Sequence, residues 1–95
     1  MYSYLAHLEC TQCGKTYPAG ALSTVSPCCS KVLFARYDLP KLGREVDRDA
    51  VERRTGGMWR FAELLPVEDP ANVVTLGEGG TPLLEATNLG KRLGL

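Results

Sequence analysis

The sequence has 95 residues, and its 11 Lys and Arg residues balance its 11 Asp and Glu residues, so the formal net charge is zero. A chain of this length forms one small domain at most and buries only about 60–65 % of its unfolded surface, which makes a metal, a disulfide or a partner important for stability. The charge balance excludes a strong electrostatic attraction to nucleic acid or anionic membranes, and no apolar run is long enough to span a bilayer.

The first seven residues, M-Y-S-Y-L-A-H, contain neither the basic segment nor the long apolar stretch of a secretory signal. Four cysteines in a secreted chain would indicate two disulfides, but their spacing here is more typical of metal chemistry in a reducing compartment. We therefore expect a cytoplasmic protein.

Residues 5–8 and 32–37 are short apolar runs rich in β-formers, and they are predicted to be strands of a small ribbon. Cys10 and Cys13 lie between them in a C-x-x-C-G sequence. Two intervening residues place both sulfurs on one side of a tight turn, and the following Gly14 tolerates the backbone conformation that results. This pattern is typical of one half of a zinc ribbon.

The second half departs from the pattern, because residues 26–29 read Ser26-Pro27-Cys28-Cys29 instead of C-x-x-C. Adjacent side chains of an extended strand point to opposite faces, so Cys28 and Cys29 can reach one metal only if the backbone turns there. A disulfide between them is disfavoured, because neighbouring Cα atoms are about 3.8 Å apart and disulfides prefer about 4.4–6.8 Å.

The predicted metal ligands are Cys10, Cys13, Cys28 and Cys29, with Ser26 excluded because a hydroxyl would have to lose a proton at greater cost. His7 is a weaker alternative ligand, and a remnant without metal is the alternative to a structural zinc site. A catalytic zinc is disfavoured because no carboxylate or histidine cluster accompanies the thiols.

Pro40 is expected to end the ribbon, and residues 44–55 are predicted to form a charged helix with Val46, Ala50 and Val51 on one stripe. Asp49 followed by Glu52 resembles a capping box, and the glycine pair at 56–57 is a candidate helix stop.

Residues 58–65, M-W-R-F-A-E-L-L, are predicted to form two helical turns before Pro66. Their apolar side chains, Trp59, Phe61, Leu64 and Leu65, are expected to pack against a core or an interface. Residues 66–70 have the character of an extended linker, and residues 85–93 are a candidate for a short amphipathic helix.

Residues 77–81, G-E-G-G-T, invite a phosphate-loop interpretation. They match neither G-x-G-x-x-G nor G-x-x-x-x-G-K-[ST], and Glu78 would place an anion beside the phosphate. From the residues alone, a turn that leads into an extended segment is the preferred interpretation.

The sequence L-G-E-G-G-T-P-L-L over residues 76–84, followed by N-L-G at 88–90, resembles the opening of threonine synthases. Upstream, W-R-F at 59–61 with L-L-P at 64–66, and Leu33 with R-Y-D at 36–38, resemble the family's tryptophan stretch and the end of its cysteine ribbon. The resemblance runs from Leu8 onward in the family's order. A sibling family, cysteate synthase, carries a similar front end.

This resemblance implies an N-terminal portion of a pyridoxal-phosphate enzyme of the tryptophan-synthase-β type, which converts O-phospho-L-homoserine and water to L-threonine and phosphate. The Schiff-base lysine and the loop for the cofactor phosphate lie in later segments of the family, and no residue of this chain matches them. No catalytic and no cofactor-binding residue is therefore assigned, although Thr81 is expected near the active site. The chain alone is expected to be inactive.

The predicted fold class is α+β, with a rubredoxin-like or zinc-ribbon-like β-ribbon at 1–40 and a helical linker at 41–66. The start of a truncated α/β catalytic domain follows at 67–95. The expected partners are the remainder of that domain and its small-molecule substrate, with self-association or a homodimer when the apolar segment is uncovered. The alternatives are a free-standing zinc-ribbon module for protein or nucleic acid, and a small redox protein that uses Cys10 and Cys13.

Overall fold

A three-stranded antiparallel sheet forms the centre of the molecule, which is described here over residues 2–95 of a computed structural model. The strands are β1 (Leu5–Cys10), β2 (Thr16–Pro18) and β3 (Leu33–Tyr37), in the spatial order β2-β1-β3. In this register Leu8 of β1 faces Tyr17 on one side and Ala35 on the other.

The sheet confirms both predicted strands and adds β2, which the sequence did not indicate because it has only three residues and ends at a proline. A proline is tolerated there because β2 is an edge strand and needs no further N–H donor. β1 is therefore the central strand, and it pairs with both β2 and β3.

Two short helices follow the sheet, α1 (Leu39–Glu45) and α2 (Arg48–Glu52). Asp38 caps α1 by accepting a hydrogen bond from the N–H of Lys41, and Asp47 caps α2 by accepting from the N–H of Asp49. These caps correct the single helix predicted for residues 44–55, because the chain is extended at Val46 and Asp47.

The other predicted helix signals also need correction. Asp49 lies inside α2 and receives no capping role, because Asp47 already accepts its N–H. The helix ends at Glu52, before the glycine pair at 56–57. Pro40 lies in the first turn of α1 instead of only ending the ribbon, since a proline fits there because its missing N–H is not needed.

A 3₁₀ segment spans Met58–Leu64, with a kink at Phe61, and a 3₁₀ turn follows at Pro70–Asn72. The first element confirms the position of the predicted helical turns, which are of the 3₁₀ type. The last helix, α3 (Thr87–Leu93), falls inside the predicted 85–93 and ends at Gly94, whose φ of 71° is the left-handed conformation of a helix C-terminus.

The residues that precede β1 join the sheet to the 3₁₀ segment. The hydroxyl of Ser3 donates to the carbonyl of Leu65 at 2.6 Å, and the N–H of Tyr4 donates to the carbonyl of Glu63 at 3.0 Å. The hydroxyl of Tyr4 donates to Glu45 of α1 at 2.8 Å. Ser3 and Tyr4 are buried, so this junction is one of the two small cores, and the cysteine cluster is the other.

The radius of gyration is 18.7 Å, well above the value of about 12 Å expected for a compact domain of this length. The segment after the 3₁₀ turn at Pro70–Asn72 exposes many large apolar side chains: Val74, Leu76, Leu83, Leu84, Leu89, Leu93 and Leu95. No helix within residues 2–95 is long and apolar enough to cross a membrane.

Candidate metal centre

Two turns of the same backbone design form the site. In the first, the N–H of Cys10 donates to the carbonyl of Lys15 at 2.9 Å, and the N–H of Gly14 donates to the carbonyl of Cys10 at 3.0 Å. The fifth residue of the turn, Gly14, has a φ of 76°. This conformation closes the turn and favours glycine.

The second turn repeats these contacts. The N–H of Ser26 donates to the carbonyl of Lys31 at 2.7 Å, and the N–H of Ser30 donates to the carbonyl of Ser26 at 2.8 Å. Ser30 has a φ of 52° and is the one non-glycine residue with positive φ in the described chain. Residues 26–31 are therefore a structural repeat of residues 10–15, with Ser26 in the place of Cys10 and Cys29 in the place of Cys13.

The two turns bring four sulfurs together. The Sγ atoms of Cys10, Cys13, Cys28 and Cys29 all lie within 4.8 Å of one another, and the four residues form no disulfide. The Sγ atoms of Cys13 and Cys28 are 3.4 Å apart. The backbone turns at Cys28 and Cys29. With this turn, the two adjacent side chains can reach one metal. Such a cluster could hold a metal ion that prefers thiolate ligands.

Ser26 lies beside the four sulfurs but carries a hydroxyl instead of a thiol. It is fully buried, with 0 % exposure, and its Oγ is 3.2 Å from the Sγ of Cys10. Its Oγ also accepts the N–H of Lys31 at 3.0 Å. The alternative ligand His7 lies in β1 and is not part of the four-residue group.

The four thiols ionise very unequally. The hydrogen bond between Cys10 and Ser26, together with backbone N–H groups of the first turn, lowers the pKa of Cys10 to about 6. The neighbouring sulfurs of Cys13 and Cys28 raise the pKa of Cys29 to about 12. Several negative charges so close together repel one another, and a bound cation would remove that cost.

The donor set fits zinc in particular, because four thiolates and a closed turn pair are typical of structural zinc sites. A further observation supports the fit. The hydroxyl of Tyr17 is buried without a hydrogen-bond partner among residues 2–95, and it faces Cys28, whose pKa it lowers. A thiolate at Cys28 would give this hydroxyl an acceptor.

The glycine-rich turn has a different role from a phosphate loop. The carboxylate of Glu78 accepts the indole N–H of Trp59 at 3.1 Å, the hydroxyl of Thr75 at 2.8 Å and the N–H of Leu76 at 2.7 Å. Its own backbone N–H and these donors lower the pKa of Glu78 to about 2. The turn is thus filled by its own carboxylate, and it does not fit the phosphate of a cofactor.

The comparisons with known proteins agree with the motifs of the sequence. A threonine synthase from Methanocaldococcus jannaschii is 39% identical over 88 residues, which are 92% of this chain and 21% of that protein. This chain is related to a part of threonine synthase. A second threonine synthase, from Methanosarcina acetivorans, is 32% identical over 89 residues, which are 94% of this chain and 21% of that protein.

The chain thus spans 21% of the length of the threonine synthases that it matches. No protein-family model matches it. No solved structure gives a significant match.

The sequence pattern indicated the four cysteines but not two contributors to the second turn, Ser30 and Lys31. Ser30 adopts a positive φ without being a glycine, so it left no signal in the residue pattern. Lys31 acts through its backbone, which any residue provides. The repeated spacing of Lys15 and Lys31, each five residues after the first position of its turn, was the one available signal for the structural repeat.

Proposed function

We propose that this chain forms the N-terminal part of a threonine synthase, which as a whole protein converts O-phospho-L-homoserine and water to L-threonine and phosphate. The observation that carries the proposal is the similarity to two threonine synthases over more than nine-tenths of the chain. The paired motifs at 59–61 and 76–84 lie inside the aligned length and contact each other through Trp59 and Glu78.

In such an enzyme, bound pyridoxal phosphate would act as the electron sink. Residues 76–80 do not fit its phosphate, and we derive no catalytic step from this chain. Its own residues form a ribbon and fix the 3₁₀ segment against the sheet. The segment of exposed leucines at residues 74–95 would contact the rest of the protein.

The activity is tested with the complete gene product. Its mass should be several times that of this chain, and it should release phosphate from O-phospho-L-homoserine in the presence of pyridoxal phosphate. The 95-residue chain alone should release none and should leave the absorbance of added pyridoxal phosphate unchanged. Turnover by the short chain, or a complete gene product that acts on a different substrate, would contradict the proposal.

We further propose that Cys10, Cys13, Cys28 and Cys29 hold a structural zinc ion, and that Cys28 takes the ligand place that Ser26 leaves empty in the second turn. The support is the clustering of the four sulfurs within 4.8 Å and the equivalence of Ser26 with Cys10 in the two turns. In so small a ribbon the metal would dominate stability, since structural zinc contributes about 10–16 kcal/mol in zinc-finger peptides.

A pair of substitutions separates the two possible ligand sets. Cys28→Ser should release zinc, because three thiolates remain. The double variant Cys28→Ser with Ser26→Cys should bind zinc again, because it restores the C-x-x-C spacing of the second turn. Zinc content after purification without chelator and a thiol count give the measurement, and Ser23→Ala, on an exposed hydroxyl, is the control. A Cys28→Ser protein that keeps its zinc would show that Cys28 is not a ligand.

We propose that the rest of the enzyme covers an apolar concave surface between the two helices and the 3₁₀ segment. This surface is lined by Leu42, Val46, Val51, Phe61 and Leu64. Phe61 and Leu64 remain 45% and 42% exposed, although the 3₁₀ segment is fixed to the sheet. A relative more than four times as long has ample chain to cover them.

The docking proposal predicts slow amide exchange for residues 58–64 in the complete protein and fast exchange in the 95-residue chain. The short chain should also bind a dye specific for apolar surface, and Phe61→Ser should reduce that binding, whereas Leu22→Ser, on a fully exposed side chain that does not line this surface, should preserve most of it. Equal exchange in both proteins would contradict docking at this site.

A further inference from the structure

Two hydroxyl groups at the cysteine cluster lie outside the predicted ligand set, and neither has a role in holding the strands together. They belong to Ser26, in the second turn, and Tyr17, in β2. We propose that these hydroxyls are positioning groups of the metal centre, and that they donate hydrogen bonds to the sulfurs of Cys10 and Cys28. This inference rests on the proposed zinc site and deepens it.

The hydroxyl of Ser26 lies against the sulfur of Cys10. Its Oγ accepts the N–H of Lys31 at 3.0 Å, and the residue has no exposed surface, so water is not a partner. As a thiol, Cys10 donates to the same Oγ, with its Sγ at 3.2 Å. When Cys10 is a thiolate it has no proton to give, and the hydroxyl of Ser26 then donates to the sulfur.

Tyr17 supplies an independent argument from a second element. Its hydroxyl is buried and has no hydrogen-bond partner among the described residues, which is unfavourable for a polar atom. The neighbouring group is the side chain of Cys28. A metal-bound thiolate at Cys28 would accept a hydrogen bond from this hydroxyl.

Ser26 donates to the sulfur of Cys10 in the first turn, and Tyr17 donates to the sulfur of Cys28 in the second turn. A zinc ion with four thiolates carries a net charge of −2, and burying that charge is costly unless polar groups oppose it. Hydrogen bonds to metal ligands orient the ligand atoms and reduce their charge, and the loss of such a partner typically costs about 10–100-fold in metal affinity. Ser26 thus contributes to the site from the position where a fourth cysteine would otherwise stand.

The test uses Tyr17→Phe and Ser26→Ala in this chain, loaded with zinc or with cobalt(II). Tyr17→Phe keeps the aromatic ring and removes only the hydroxyl, so it preserves the packing of β2. The controls are Tyr4→Phe and Ser3→Ala, because Tyr4 and Ser3 are also buried and their hydroxyls bond Glu45 and Leu65 away from the cluster.

Each cluster variant should bind zinc about tenfold or more weakly in a chelator competition. Each should also shift the sulfur-to-cobalt charge-transfer absorption to lower energy, because a sulfur without its hydrogen bond is richer in electrons. The control variants should lower stability without moving that absorption, which separates a positioning role from a structural one.

Cluster variants with the absorption and the zinc affinity of the original chain would overturn the inference while leaving the zinc site intact. An original chain that takes up neither zinc nor cobalt would overturn both. If Ser26→Ala does not fold, the absorption of Tyr17→Phe decides the question alone.

Discussion

Gly57 and Gly79 allow two backbone segments to approach so closely that neither position has room for a side chain. A Cβ added at Gly57 would lie 1.8 Å from the carbonyl oxygen of Glu78, and one added at Gly79 would lie 2.3 Å from the backbone nitrogen of Met58. Between them, the N–H of Met58 donates to the carbonyl of Glu78 at 3.0 Å. We call this contact, together with the Trp59–Glu78 hydrogen bond, the glycine clamp.

The substitution Gly57→Ala should open the glycine clamp. Nonbonded contacts of a Cβ atom are essentially never shorter than 3.0 Å, so the two segments must separate by more than about 1 Å. The hydrogen bond from Met58 to Glu78 cannot survive that separation. The loss of one backbone hydrogen bond costs about 1 kcal/mol, or roughly fivefold in the equilibrium between the closed and the open clamp, before any cost of the clash is added.

Trp59 is the one tryptophan of the chain, so its fluorescence reports directly on the clamp. Gly57→Ala should shift its emission toward that of a solvated indole and should speed amide exchange at Met58. Gly43→Ala is the matched control, because Gly43 lies inside α1 and a Cβ there meets nothing within 4 Å. That control should stabilise the chain by about 0.5–1 kcal/mol through helix propensity. Unchanged Trp59 emission and unchanged Met58 exchange in Gly57→Ala would refute the reasoning.

Three further predictions concern other contacts. The pKa of Glu78 is lowered from 4.5 to about 2, so its stabilising effect should be complete above about pH 4.5 and lost as the pH falls toward 2; Trp59 emission that stays constant through this window would contradict it. Arg54→Met should destabilise the 3₁₀ segment by about 1 kcal/mol in urea titrations, because the partly exposed Arg54 contacts Glu63 at 2.6 and 2.8 Å; an unchanged urea midpoint would argue against this contribution. Cys13→Ser should release zinc and remove amide-exchange protection from residues 5–38 first, and full zinc content in that variant would exclude Cys13 as a ligand.

The sheet was predictable where hydrophobic side chains determine it. Residues 5–8 and 32–37 combine β-formers with short length, and both became strands. The helices were less predictable, because the periodic pattern of the charged stretch 44–55 continues across the break at Val46. Asp38 and Asp47 each satisfy the first N–H groups of a helix, and two capping aspartates nine residues apart indicate two helices.

The four cysteines of the site were predictable from their chemistry, but the structural repeat was not. A sequence shows which residues carry thiols, whereas the equivalence of residues 10–15 and 26–31 depends on backbone hydrogen bonds and on a positive φ at Ser30. In the sequence, Ser26 replaces the first cysteine of the second C-x-x-C pair and indicates the loss of a metal ligand. The structure shows a fully buried hydroxyl in contact with Cys10 and with the N–H of Lys31.

The glycine clamp gives one physical reason for two motifs that the sequence presents separately. The tryptophan stretch at 59–61 and the glycine-rich stretch at 76–84 are joined because Trp59 needs a hydrogen-bond acceptor and Glu78 needs donors for its carboxylate. Glycine is required at positions 57 and 79 because the two backbones touch there. The glycines that suggested a phosphate loop therefore serve a contact within the chain. The 3₁₀ segment is itself hydrogen-bonded to Ser3 and Tyr4. The clamp therefore fixes the start of the segment of exposed leucines, residues 74–95, relative to the ribbon.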